Sequence, residues 1–251
     1  MKKILCFIVF AILAISPISV AASNEISNEE DVLISNKELK KDELLSEDYQ
    51  FETITIEGRK IKEPKFEVES ILEDKFGEEI AELTSKKATQ LLKVKKNKKN
   101  NDLTAEFVTV AEIGTQAVAT DSQSHSNWIG NTKGTVTVYY HIDTKSGLAD
   151  SVDMNYIYVS WSPQSGTIIS NRSATMYEDG KSHWGSGIIH HSKTVYPTTN
   201  SSTKYDVPDS WEPIWEGLLG ARSQATVVQG GLSYTLKVDC RITPKSISTI
   251  I

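Results

Sequence analysis

Three of the five histidines, His183, His190 and His191, fall within a nine-residue window, and Glu178 and Asp179 stand just before them. Imidazole and carboxylate groups bind zinc and move protons, so a metal centre or a hydrolase site is the first chemistry to consider. Neighbouring residues on a strand point to opposite faces, so His190 and His191 cannot readily hold one ion together. His183 would have to meet one of them across a turn centred on Gly185-Ser186-Gly187, with Asp179 or His141 as a third ligand. No His-Glu-x-x-His helix and no paired cysteine spacing accompanies the group. The pattern favours histidines set in a Ser/Thr-rich sheet, with His183, His190 and Asp179 as the metal alternative.

Nucleophiles are no better signalled. A Gly-x-Ser-x-Gly elbow is absent, and Gly185-Ser186-Gly187 reads only as a turn. Cys240 sits in an alternating run where Tyr234, Leu236, Val238, Cys240 and Ile242 share one face, so its thiol is expected to point into a core rather than at a substrate. Asp143, Asp150, Asp153, Glu178, Asp206, Glu212 and Glu216 are candidate carboxylates for glycoside hydrolysis, but nothing selects a pair. No Gly-rich phosphate loop precedes a helix, and no cofactor motif is present.

The aromatic residues are more informative. In 135–143, Val136, Val138, Tyr140 and Ile142 alternate with Thr137, Tyr139, His141 and Asp143; in 155–161, Ile157, Val159 and Trp161 alternate with Tyr156, Tyr158 and Ser160. Tyr139, Tyr156 and Tyr158 therefore fall on the faces opposite the aliphatic residues. An outward aromatic row on a polar sheet can stack on sugar rings or grip another protein. Trp128 and Trp184, which lie beside strands, join these three tyrosines as candidate ligand contacts.

The elements that must position these residues divide unevenly along the chain. All five Trp, all five His and eight of the nine Tyr follow Asn100. After Leu103, alternation predicts strands over 106–118, 135–143, 155–161, 167–177, 187–196, 221–228 and 232–242, separated by Gly, Asn and Pro turn signals. Such a series predicts an all-β domain over 102–251, an antiparallel β-sandwich or barrel. One short helix is expected over 208–220, where Trp211, Ile214, Trp215, Leu218 and Leu219 form a stripe bounded by Ser210 and Gly220. That stripe is expected to close one end of the domain. Membrane contact through Trp211 and Trp215 is conceivable but not predicted.

The preceding part is charge-dense. Residues 23–65 read as a flexible acidic segment with a short hairpin over 51–61. Over 66–101, Val68, Ile71, Leu72, Phe76, Ile80, Leu83, Leu91 and Val94 recur at helical steps, predicting one amphipathic helix or a broken pair, followed by a Lys/Asn-rich linker. This charged, partly α-helical region is a candidate pro-region.

At the start, Met1-Lys2-Lys3 followed by an apolar run from Ile4 to Ile15 and small residues reads as a signal peptide over 1–22, cleaved near Ala21 or Ala22. The run is shorter than the roughly 20 residues that span a bilayer. Abundant Lys, Ile and Asn suit a bacterial origin. A net charge of -6 argues against nucleic-acid binding by counterion release. Together these features predict a secreted, noncatalytic β-protein that binds an extracellular glycan or protein. The alternatives are a toxin- or bacteriocin-like effector made as a precursor, and a hydrolase using the His/Asp group.

Overall fold

The computed structural model describes residues 30–56, 58–117, 132–144, 150–185 and 187–243. The expected leader, with Cys6, and Trp128 lie outside these residues. In chain order the elements are β1 (Glu30–Ser35), α1 (Lys41–Leu44), β2 (Ile54–Ile56), β3 (Arg59–Ile61), β4 (Phe66–Glu73), β5 (Glu79–Asn97), β6 (Leu103–Ala117), β7 (Lys133–Thr144), β8 (Ser151–Ser162), β9 (Ile168–Ser182), β10 (Ile188–Val195), β11 (Thr203–Asp206), β12 (Ile214–Gln229) and β13 (Leu232–Ile242).

Eleven strands form one antiparallel sheet in the order β10-β9-β12-β13-β4-β5-β6-β7-β8-β11, with β1 beside β5, while β2 and β3 make a separate hairpin. The long β5 pairs with β4 through Glu79–Glu82 and with β1 through Lys93–Asn97, so two strands share one of its edges. At Ile214 the two arms of the sheet meet: this residue opposes Ser182 on β9 and Val152 on β8. The sheet thus curls back on itself and encloses one apolar core. Phe107, Val138, Tyr140 and Ile142 from one arm, and Ala221, Leu236, Val238 and Ile242 from the other, contribute to it. Burial of these side chains, each worth roughly 1.5–3 kcal/mol when fully removed from water, is the main favourable term. The Phe107 and Tyr140 rings stack at 5.6 Å. A hydroxyl chain serves the buried phenol, with Tyr140 Oη 3.2 Å from Thr109 Oγ1 and Thr109 Oγ1 2.8 Å from Thr89 Oγ1. No hydroxyl in that chain is left without a partner in the core.

The seven strands expected after Leu103 all form, but β9 runs on to Ser182, β12 begins at Ile214 rather than at 221, and β11 is an additional short strand. The 51–61 hairpin forms as β2–β3, with Gly58 at φ +82 in its turn. Cys240 is fully buried and is the free cysteine among the described residues. Burial, with Asp239 alongside, pushes its thiol up to about 12, far from the thiolate that reacts. The native protein at pH 8 is expected to leave a disulfide reagent unreacted and to release one equivalent at Cys240 only on unfolding; rapid native labelling would place this thiol at the surface.

Two helical expectations are corrected. Residues 66–97 are β4 and β5, not an amphipathic helix. Leu91 and Val94 are both buried in the core although three residues apart, because the register shifts between Leu91 and Lys93. An extra residue at a bulge resets the inward face and converts a two-residue period into a helix-like step. Gly77, at φ +83, lies in the β4–β5 turn, where Asp74 Oδ1 accepts hydrogen bonds from the N–H groups of Phe76 and Glu78. The lysine run ends in the β5–β6 turn, closed by Asn101 N–H to Asn97 O at 2.9 Å. The stripe over 208–220 is also not a helix: β12 begins at Ile214, and pairing with both β9 and β13 outweighs the weak propensity of so short a segment.

Candidate functional site

Three cross-strand rows cover the outer face of β5, β6, β7 and β8. Gln90, Val108, Tyr139 and Tyr156 form one row; Ala88, Val110, Thr137 and Tyr158 the next; Lys86, Glu112, Thr135 and Ser160 the third. Alternation along each strand places these side chains away from the core, and antiparallel register brings them abreast. The Tyr139 and Tyr156 rings stack with centroids 4.3 Å apart, and Tyr158 meets both edge-on at 5.8 Å. Lys204, from β11, holds its ammonium 4.1 Å above the Tyr156 ring, a cation–π contact.

A strap of residues 36–49, containing the single turn α1, crosses this face. Leu39, Leu44, Leu45 and Tyr49 pack with Ala88, Val108, Val110 and Tyr139 in a second apolar cluster separate from the core. Polar groups fix the register of the strap. Asn36 Nδ2 donates to Leu91 O at 2.9 Å, Leu39 N–H donates to Gln90 Oε1 at 3.0 Å, Gln90 Nε2 donates to Lys37 O at 2.8 Å, and Tyr49 Oη donates to Thr89 O at 2.8 Å. The Tyr139 hydroxyl donates to the Glu38 carboxylate. Glu112, itself buried, receives Lys41 Nζ at 2.5 Å and Lys133 Nζ at 2.9 Å. Burial alone would raise the Glu112 carboxyl, but the two lysines outweigh it and hold it below the usual range.

Between strap and sheet lies an open groove of about 650 Å³, within the size range of small-ligand sites. Tyr139, Tyr156 and Tyr158 line it with Val108, Val110 and Leu44, and Thr135, Thr137, Ser160 and Ser202 add hydroxyls. Burial, followed by the hydrogen bond to Glu38, raises the Tyr139 phenol. Burial likewise raises that of Tyr156. Both therefore remain neutral, suited to stacking and hydrogen bonding rather than to proton abstraction.

The five candidate ligand contacts have different fates. Tyr139, Tyr156 and Tyr158 converge; Trp184 lies at the β9–β10 turn, its ring edge-on to His183 at 5.2 Å; Trp128 is outside the described residues. Of the metal alternatives, His190 Nδ1 lies 2.9 Å from Asp179 Oδ1 across the β9–β10 pair, whereas His183 belongs to the turn. His191 takes the other face, stacked on Trp211 at 5.1 Å. Among the described residues no three His, Cys, Asp or Glu side chains are placed to hold a metal ion. Glu38, Lys41, Gln90 and Glu112 were not legible as site residues. Glu112 shares the Val108/Val110 face of β6 with a second acid, Glu106, and nothing in the alternation set it apart.

Compared with protein-family models, with curated proteins and with solved structures, the chain shows no significant match to any of them.

Proposed function

We propose that this is an exported, noncatalytic binding protein whose groove receives a carbohydrate. One observation carries the reading: three tyrosines from two adjacent strands meet on the floor of an open groove. Sugar rings present apolar C–H faces that aromatic rings cover, and equatorial hydroxyls that Thr, Ser and charged side chains bind. Threonine and serine hydroxyls ring the tyrosines, with Glu38 and Lys40 at the strap side. Export is supported by the basic start, the apolar run and the Ser-Val-Ala segment near residue 20.

The test is binding to insoluble polysaccharides and to cell-wall particles. Tyr156→Ala with Tyr158→Ala is expected to weaken the association about tenfold or more, since each aromatic contact contributes roughly 0.5–1.5 kcal/mol beyond area burial. Tyr156→Phe with Tyr158→Phe keeps the stacking faces and is expected to retain most of the affinity. Undiminished binding by the alanine pair would remove the groove from the reading.

A further inference from the structure

The two strands that end the sheet, β10 and β11, differ in how their outer edges are finished. β11 has four residues, of which Lys204 and Asp206 are charged. Short length and charge are the usual devices that keep a sheet edge from pairing with another chain. β10 is eight residues long, has no proline, keeps an unbroken register with β9, and turns its one lysine, Lys193, to the Asp206 carbonyl oxygen at 3.3 Å.

Its edge is also open. Ser182 N–H donates to Gly187 O at 3.0 Å, which fixes the phase of the hairpin. Ile189, His191, Lys193 and Val195 therefore bond to β9, while Ile188, His190, Ser192 and Thr194 turn their N–H and C=O groups outward. Among the described residues these outward backbone groups meet no partner. Such a row accepts an extended chain as a further strand.

The side chains beside the row select which chain. Ile188 is 70% exposed, Tyr196, just past the end of β10, is 73% exposed, and each stands four residues from Ser192 on the outer face. A two-fold axis through Ser192, normal to the sheet, sets Ile188 of one copy opposite Tyr196 of the other at both ends of the pairing, with His190 opposite Thr194. On the inner face the same register sets Ile189 opposite Val195 and His191 opposite Lys193, whose ammonium Asp206 holds. Moving the axis to His191 sets Ile188 opposite Thr194 and carries Tyr196 past the other copy's Ile188.

We propose that β10 is a dimer edge, at which two copies of this chain join antiparallel about Ser192 and continue the sheet from one molecule into the other. Two Tyr196 and two Ile188 side chains, with the backbone of 188–196, remove roughly 1,000 Å² from water, the low end for a specific interface, so a reversible dimer in the micromolar range is expected. Two grooves then share one molecule, which strengthens attachment to a repeating polymer. Only that consequence rests on the carbohydrate reading.

The experiment is sedimentation equilibrium of the full chain from about 1 to about 300 µM, with denaturant unfolding to check the fold of each variant. The expected mass rises with concentration to twice that of a single chain. Thr194→Pro removes an outward N–H that β9 does not use, and is expected to weaken dimerisation about tenfold or more with little change in the unfolding midpoint. Ile188→Ser with Tyr196→Ser is expected to weaken it similarly while leaving the backbone intact. Ser192→Cys sets two thiols across the axis at the roughly 5.5 Å Cα separation of a hydrogen-bonded pair, which suits a disulfide, and is expected to give a covalent dimer on mild oxidation. Ser233→Cys, exposed on β13, is expected to give none. Tyr156→Ala with Tyr158→Ala is expected to leave the mass unchanged, which separates this edge from the groove. The proposal is overturned if the parent stays monomeric at about 300 µM, if the dimer persists undiminished in the Thr194 and Ile188/Tyr196 variants, or if Ser192→Cys gives no more covalent dimer than Ser233→Cys.

Discussion

Gly217→Ala is expected to leave little folded protein. Gly217 lies on β12 at φ +141, where β12 crosses β9, and a methyl carbon there would sit 1.9 Å from the Asp179 carbonyl oxygen and 2.4 Å from the Gly180 Cα. Both opposing atoms are backbone, so relief requires the two strands to part. Gly180 has the reciprocal constraint, its own absent methyl falling 2.0 Å from the Glu216 carbonyl oxygen. This close approach adjoins Ile214, where the two arms of the sheet join, so separating the strands opens the core behind Met176 and Leu219. A loss of roughly 4 kcal/mol or more is expected, a large part of the stability of an ordinary domain. Denaturant unfolding measures it. A change under about 1 kcal/mol would mean that the strands are not in contact there.

The second large effect concerns pH. Glu178 is fully buried; one carboxylate oxygen accepts the Met154 N–H at 3.1 Å, and the other faces His191 Nδ1 at 3.8 Å, too far for a hydrogen bond. Burial, reinforced by the charge of Asp153 and opposed by the Met154 N–H, pushes the carboxyl up to about 8. Charged and titratable neighbours are His191 on β10 and Asp153 on β8, with the His190–Asp179 pair on the opposite face. Between the unfolded value near 4.5 and about 8, the folded state binds more protons than the unfolded state. Stability from this group is therefore complete at acid pH, falls as pH rises through that window, and levels off above it. The span corresponds to a loss on the order of 4–5 kcal/mol.

Glu178→Gln resembles the protonated acid, with an oxygen for the Met154 N–H and an amide N–H for His191 Nδ1. It is expected to match the parent below about pH 4 and to exceed it by several kcal/mol at about pH 9. Titrating groups remote from Glu178 contribute equally to both proteins, so the difference between their stability curves reports Glu178 together with its interaction with Asp153. Parallel curves from pH 5 to pH 9 would show that this carboxyl ionises in the folded state at its ordinary value.

Much of the sheet was legible because alternation is a local record of burial. Tyr139, Tyr156 and Tyr158 fell on the correct faces, and Cys240 on its inward face, since each lies in a run free of bulges on the relevant side. β4 and β5 were misread where this record breaks: the shift between Leu91 and Lys93 displaces the inward face and mimics a helical step. The Trp211–Leu219 stripe misled for another reason. Its spacing suits a helix, but Gly217 and Gly220 serve strand crossings visible only with both neighbours in place, a Cβ at Gly220 falling 2.0 Å from the Cys240 carbonyl oxygen.

By itself, the sequence determined which residues alternate, where turns interrupt them, and that an aromatic row stands apart from the aliphatic faces. Only the tertiary structure decided that this row becomes a groove, because its second wall is the strap of residues 36–49, taken from a stretch expected to be flexible. Glu38 reaches Tyr139 across 101 positions, and Lys41 reaches Glu112 across 71. Residue periodicity records the side of a strand that meets the core. It carries no record of which distant segment will cover the other side, since that is settled by apolar area and hydrogen-bond partners that come together only when the chain has folded.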